Sequence, residues 1–540
     1  MRRLPLAMLS VCIALSFCAI RPLHALTSDR SGHLFTQDEE YIVLNTTLAN
    51  GTNANWTLTN LLYNNESITG TSVVQNGQVR IPTRGLLASE YTFAVAGDGS
   101  INGGLLPPLF DYHAELTPFV MCLFTDDQIV NNCRIAWENS FERTREPYMW
   151  RQLGMREVRV EFRFEEVNPS AGTFTWEPNR ETYFTLLRDN FVRPTIKIVG
   201  SQSWNGNIRN YPTSMANWRS GLQGIAQRYH PLGIDKYYMV GRADEQSWWW
   251  DTTQVNADAK YVDFVNNTND VLKMVDPGII FVAPENWSYD WQFTDLLLSS
   301  ATFDIFSADF PCDTMDAMYA HSGLTFREMA KLNKWKPFVN TEEGGRIHNW
   351  TANADAKFYT GLANQQITGC MDTSILVQYD LNCLNGVFML EDWTGMYEPF
   401  ENRLDNLTTH MTVVAEQCWQ TRVAADALAG AHLMKRVPGV PPNTVAYIYR
   451  RGNDRFVGAY TSEARVGQLA EFTTSRSSLT MVDAFGNRYT MVPTAGKVRI
   501  LFTNLITFVH GLADDDTIAF IPNTTNETPR ILSPGTLTAT

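Results

Sequence analysis

The sequence predicts an α/β fold: a (β/α)8 TIM barrel flanked by N-terminal and C-terminal β-sandwich domains. Three observations carry this reading. Eight short apolar runs alternate with helix-like stretches between residues 117 and 434. Those runs are continuous rather than alternating, as expected of parallel strands covered on both faces. On either side, residues 26–116 and 444–522, the latter within a C-terminal sandwich and tail over 435–540, hold short strand-like runs between Asn- and Gly-rich breaks, several with the alternation of half-buried strands.

Taken in order, residues 1–25 read as a secretory signal peptide. Arg2 and Arg3 precede an uncharged apolar stretch from Leu6 to Ile20, and His24-Ala25 offers a cleavage position. The stretch is shorter than the ~20 residues of a bilayer span, and no later segment is long and apolar enough for one. The expected product is secreted and extracellular, with no membrane anchor. Removing residues 1–25 takes away three arginines and no acid, so the formal charge moves from -14 to -17. Such a chain has no electrostatic reason to bind nucleic acid or an anionic membrane. With 44% apolar and 19% charged residues it is globular in composition.

Six cysteines remain after residue 25: Cys122, Cys133, Cys312, Cys370, Cys383 and Cys418. An even count in a secreted chain suits disulfides. Sequons at Asn45, Asn50, Asn55, Asn65, Asn266, Asn286, Asn349, Asn406, Asn523 and Asn526 fit a glycoprotein.

The N-terminal sandwich is read from "YIVLNTTL", "NWTLTNLLY", "GQVRIPT" and "EYTFAVAG", with "DGSINGGLLPP" as the linker that follows. The eight barrel strands are "FVMCLF", "REVRVEF", "RPTIKIVG", "KYYMVGR", "IIFVAPE", "FDIFSADF", "KPFVNTE" and "GVFMLEDW". A doubly wound open sheet is the alternative. It is the weaker one, because no Gly-x-Gly-x-x-Gly turn follows a strand. "KRVPGVPPN" (435–443) closes the barrel, and the second sandwich begins at "TVAYIYRR".

In a barrel of this kind function sits at the carboxyl ends of the strands. The polar residues there are Arg159, Glu161 and Arg163 on the second strand, Gln202 and Trp204 after the third, and Asp244 and Glu245 after the fourth. Asp309 lies on the sixth, Glu342 and Glu343 on the seventh, and Glu391, Asp392 and Trp393 on the eighth. Two carboxylates on separate strands are what glycosidic cleavage needs, one to protonate the leaving oxygen and one to attack or stabilise the anomeric carbon. Neighbouring indoles suit the C–H faces of sugars. No Ser-His-Asp set or metal-ligand spacing stands out, so neither metal nor cofactor is expected.

These motifs resemble those of the retaining glycoside hydrolases of clan A. "ADEQ" at the end of the fourth strand is similar to their Asn-Glu-Pro signature, and the resemblance implies that Glu245 is the acid/base. "VNTEEGG" looks like their Thr-Glu-x-Gly pattern and implies that Glu342 is the nucleophile, with Glu343 a competitor for that role. "GMREVRVEFRFEEVNPSAGTFTW" resembles their second-strand region, including Arg159, and Trp393 stands where they often keep a sugar-facing tryptophan. The flanking β modules resemble those of the β-xylosidase and α-L-iduronidase family or near relatives. The implied substrate is a poly- or oligosaccharide, contacted by Arg159, Trp204, Asp244, Asp309 and Trp393. Three positions depart from the pattern: Asp244 replaces the Asn, Gln246 the Pro, and Asp309-Phe310 the His-Tyr after the sixth strand. An ionised Asp only accepts hydrogen bonds, and Asp244 has the alternative of capping a turn. The other function class these departures leave open is a catalytically inactive barrel that binds glycans or serves as a structural glycoprotein.

Overall fold

A computed structural model of the chain describes residues 26–30, 33–61, 66–108, 119–123, 140–239, 250–286, 290–308, 315–343, 387–391, 417–441, 444–461, 467–503 and 506–521. Residues 1–25 lie outside these, as do Cys133, Cys312, Cys370 and Cys383.

The first module contains β1 (Leu34–Thr36), β2 (Tyr41–Asn45), β3 (Asn53–Asn60), β4 (Ser67–Val73), β5 (Gln78–Pro82), β6 (Ser89–Val95) and β7 (Gly99–Leu106). Five strands form one sheet in the order β1-β7-β6-β3-β4, and β2 pairs with β5 as a ribbon. The alternation read from sequence is what joins them. Ile42 and Leu44 of β2 and Val79 and Ile81 of β5 share an apolar layer with Leu58, Phe93 and Leu105 of the sheet.

One expectation is corrected here. "DGSINGGLLPP" is not a linker: residues 99–106 are β7, between β1 and β6. Its glycines mislead because their role is close approach rather than flexibility. A Cβ on Gly104 would lie 2.1 Å from the Trp419 ring, and one on Gly103 would lie 2.5 Å from the His33 carbonyl.

The central module is a ring of eight parallel strands: β8 (Phe119–Leu123), β9 (Glu157–Arg163), β10 (Arg193–Val199), β11 (Lys236–Met239), β12 (Ile280–Asn286), β13 (Ile305–Ala308), β14 (Phe338–Glu343) and β15 (Val387–Glu391). Each pairs with its successor, and β15 returns to β8 in the register Phe388↔Phe119 to Glu391↔Cys122, closing the ring. Around it run α1 (Ser140–Gln152), the single turn α2 (Phe164–Val167), α3 (Pro178–Asp189), α4 (Met215–Tyr229), α5 (Ala257–Val275), α6 (Trp291–Ser300), α7 (Met315–Leu332) and α8 (Gln417–Leu428). The segment joining β14 to β15 lies outside the described residues. Local sequence explains the helices. Ser214 accepts from the Asn217 N–H and Asp290 from the Gln292 and Phe293 N–H groups, capping α4 and α6. Trp218, Leu222, Ile225 and Tyr229 form the buried stripe of α4. No helix among the described residues is long and apolar enough to cross a membrane.

The interior of the ring differs from the apolar strands expected. On β9, Val158 and Val160 join the large apolar core between ring and helices. The alternate residues Glu157 and Arg159, with Lys197 of β10 and Lys236 of β11, are also buried. Tyr238, Val282 and Val339, from β11, β12 and β14, form a separate small apolar cluster. Glu157, Arg159 and Lys236 all meet Tyr238, which therefore joins the charged residues to that apolar cluster.

The last module contains β16 (His432–Arg436), β17 (Thr444–Arg451), β18 (Asp454–Thr461), β19 (Gln468–Thr473), β20 (Leu479–Val482), β21 (Arg488–Met491), β22 (Lys497–Phe502), β23 (Thr507–His510) and β24 (Thr517–Ile521). The sheets β16-β17-β18-β23-β20-β21 and β22-β19-β24 face each other across Ile448, Val457, Phe472, Val498 and Phe502. Lys435 and Arg436, read as the start of a loop, belong to β16, which pairs with β17.

The two β modules meet each other as well as the ring. Asn487 accepts from the Ala88 N–H at 3.0 Å and donates to the Ala88 carbonyl at 3.2 Å. Trp419 of α8 donates its indole N–H to the Leu105 carbonyl at 2.9 Å.

Candidate active site at the carboxyl ends of the barrel strands

The ring has one mouth where the strands end, and the candidate residues divide about it. Glu342 and Glu343 are the last two residues of β14, Glu343 pairing in register with Leu390. Glu245 lies six residues beyond Met239, the end of β11, three strands around the ring from β14. Asp244, Glu245, Asp309 and Trp393 lie outside the described residues.

Arg159 sits inside the ring rather than at its rim. It is fully buried on β9, its guanidinium 5.5 Å from the centre of the Tyr238 ring. A charge cluster lies beneath it. The buried Glu157 carboxylate accepts from Lys236 Nζ at 2.8 and 3.1 Å and from the Tyr238 hydroxyl at 3.2 Å, with Arg193 at 3.5 Å and Arg156 at 3.8 Å. Burial pushes the Glu157 carboxyl up, but Lys236 and the two arginines outweigh it and hold it below the usual range. Burial and the Glu157 charge together push the Tyr238 phenol well up, so it remains a neutral donor.

Trp204 is at the mouth, in the 3-10 turn Ser203–Asn205 that follows β10. It is half-buried, and its indole N–H donates to the Asn168 carbonyl, in the loop after β9, at 2.6 Å. Beneath it three buried amides interlock. Asn168 donates to the Ser170 and Thr173 carbonyls at 3.0 and 2.8 Å. Gln202 donates to Asn168 Oδ1 at 3.1 Å and to the Asn217 carbonyl at 3.2 Å. Asn205 donates to Gln202 Oε1 at 3.0 Å and to the Ser214 carbonyl at 2.8 Å, and accepts from the Ser214 N–H at 2.8 Å.

Two features of this mouth escaped the sequence reading. One is the amide cluster, of which the sequence reading singled out Gln202 alone, and not its partners Asn168 and Asn205. The other is Glu165, in the α2 turn directly after β9. Its Oε2 atom is buried without a hydrogen-bond partner, and burial raises its carboxyl above the usual range. Of the three adjacent tryptophans at 248–250, Trp250 is described, and it is core. It stacks on Phe264 at 5.7 Å and meets Tyr261 edge-on at 5.2 Å. Among the described residues no group of three or more His, Cys, Asp or Glu side chains could hold a metal ion.

A ring of eight parallel strands with helices outside it and β modules at both ends defines the fold class. Solved structures are similar to the chain in fold. The chain is similar to a family 39 glycoside hydrolase from Bacteroides cellulosilyticus WH2, with a TM-score of 0.64 at 12% identity over 89% of this chain and 99% of that one. It is similar to a conserved exported protein from Bacteroides fragilis, with a TM-score of 0.54 at 9% identity, covering 75% and 99% of the two chains. It also resembles a GH30 endoxylanase from Clostridium papyrosolvens C71, with a TM-score of 0.51 at 13% identity, covering 74% and 97%. At these identities the likeness is one of fold. No family model matches the sequence, and no curated protein matches it.

Proposed function

We propose that this chain is a secreted glycoside hydrolase with a complete (β/α)8 barrel, acting on a poly- or oligosaccharide by a retaining two-glutamate mechanism. The observation that carries the reading is the end of β14. Glu342 is the fifth residue of that strand in a closed parallel ring, and Glu245 follows the last residue of β11 by six positions in the chain, which supports pairing the two. Likeness over 89% of the chain to a family 39 glycoside hydrolase supports it. Glu342 attacks the anomeric carbon as a carboxylate. Glu245 gives its proton to the leaving oxygen and then activates the water that releases the product. For this Glu245 starts protonated, and the nearby negative charge of Glu342 favours that form. Trp204, Asp244, Asp309 and Trp393 serve the sugar, while Arg159, enclosed in the ring and away from the sugar, orients the reacting carboxylates of the chain. Removal of residues 1–25 and export belong to the same proposal.

The test is hydrolysis of a panel of aryl glycosides and polysaccharides by the wild type, Glu245→Gln and Glu342→Gln. Each substitution is expected to lower kcat by about 10^2–10^4-fold. The first-formed product, followed by NMR, is expected to keep the anomeric configuration of the substrate. Hydrolysis undiminished in both variants would refute the assignment. Binding of the panel without turnover would favour the inactive, glycan-binding barrel, a reading motivated by Asp244 standing where the Asn is expected.

A further inference from the structure

The amide cluster under Trp204 is built with unusual completeness. Asn168, Gln202 and Asn205 are each buried, and every donor and acceptor of the three side chains is engaged. The pattern therefore fixes the orientation of all three amides, since turning any one would set nitrogen against nitrogen or oxygen against oxygen. It also joins three separate segments: the loop after β9, the turn after β10 and the start of α4. The helix leaves room for it. A Cβ on Gly221 of α4 would fall 2.6 Å from Asn168 Oδ1, 2.7 Å from Gln202 Nε2 and 2.8 Å from the Phe164 ring. Trp204 stands on this base with its single donor committed to the Asn168 carbonyl at 2.6 Å.

We propose that Asn168 and Gln202 are positioning residues for a sugar-stacking platform at Trp204, and that Trp204 meets carbohydrate through its ring face alone. The inference rests on the glycoside hydrolase reading and refines it. An indole with a free N–H reads a hydroxyl, whereas one whose N–H is held by backbone offers only a π-face. Such a face recognises the C–H face of a pyranose ring. The selectivity for individual hydroxyls then falls to other residues of the mouth. A rigid base matters because a stacking contact realised only at one ring orientation is lost when the ring turns.

Xylohexaose and cellohexaose are suitable probes, titrated calorimetrically into the full-length wild type, Trp204→Ala, Asn168→Ala, Gly221→Ala and the double variant Trp204→Ala/Gly221→Ala. Thermal melts establish that each variant is folded. If Asn168→Ala does not fold, Gly221→Ala decides, since it displaces the amide pair while adding only one methyl group. Trp204→Ala is expected to weaken binding of the better probe about tenfold. Gly221→Ala is expected to weaken it several-fold, with KM raised and kcat little changed wherever the probe is hydrolysed. The double variant is expected to bind no more weakly than Trp204→Ala, because the lock acts through the indole. Unchanged binding in Gly221→Ala, or a loss that adds in full to that of Trp204→Ala, would overturn the positioning role and leave the hydrolase reading standing. A wild type that neither binds nor hydrolyses any carbohydrate tried would overturn both.

Discussion

Replacing Glu157 by Gln strands the Lys236 ammonium inside the barrel. Both side chains are almost wholly enclosed, 1% and 4% exposed, with their charged atoms 2.8 Å apart. The gross attraction at that distance is about 6 kcal/mol with an effective dielectric of 20. Desolvation of the two ions offsets much of it, and the cost of removing one partner from a buried pair is about 3–5 kcal/mol. Glutamine still accepts one hydrogen bond from Lys236 Nζ, so the lower end, about 3 kcal/mol, is expected for Glu157→Gln. In a thermal melt followed by circular dichroism this is a fall of roughly 3 °C for a chain of this length. Glu157→Gln/Lys236→Met removes both charges and is expected to lie within about 1 kcal/mol of the wild type. Proton linkage gives a second readout. The Glu157 carboxyl is held below its ordinary value. Its contribution is thus complete above the unfolded value of about 4.3 and disappears as pH falls through the folded value. The gap between wild type and Glu157→Gln therefore narrows in acid. A double variant whose loss equals the sum of the two single losses, or a gap independent of pH, would refute the buried-pair account.

Two further outcomes follow from the first module. His33 is buried, with Nδ1 2.7 Å from Ser28 Oγ, and burial, then the charge of Arg145, lowers its pKa to about 4. The unfolded chain takes up a proton near pH 6.5 that the folded chain refuses, so stability is full above that pH. It should drop by about 3 kcal/mol as pH falls toward 4. Urea unfolding curves across this window should show the drop, and His33→Gln should flatten it. Asn487→Ala removes both hydrogen bonds to Ala88 and leaves two buried backbone groups unpaired, at a cost of about 2–3 kcal/mol. Hydrogen exchange should accelerate around residues 88–95 while the α4 amides are unaffected.

The ring was the most legible part of the chain, because its strand-like runs alternate with helix-forming sequence, even though β9, β10 and β11 are interrupted by buried charged residues. Several strands escaped the sequence, among them β1, β16, β19, β23 and β24, and for two others the reason is plain. β4 is a polar edge strand, mostly exposed along "SITGTSV". β7 owes Gly104 to a tryptophan more than three hundred residues later and Gly103 to the His33 carbonyl. Candidate site residues could be assigned to strand ends, since position along a strand is local information. What those residues touch is not local. The commitment of the Trp204 N–H to Asn168, 36 residues earlier, depends on how two loops fold against each other. The enclosure of Arg159 over Tyr238 depends on the stagger of three strands.

The Asn487–Ala88 contact also sets a schedule. The partners are 399 residues apart in the chain, so at roughly 5–20 residues per second the ribosome separates them by about 20–80 s. Through that interval Ala88, Leu34 and Leu106 wait for the apolar surface of Val482, Ala484 and Phe485 that completes their shared core. The first module cannot finish its packing until residues 482–487 have been made. A chain stopped before residue 482 is expected to leave this shared core open, with its apolar surface exposed.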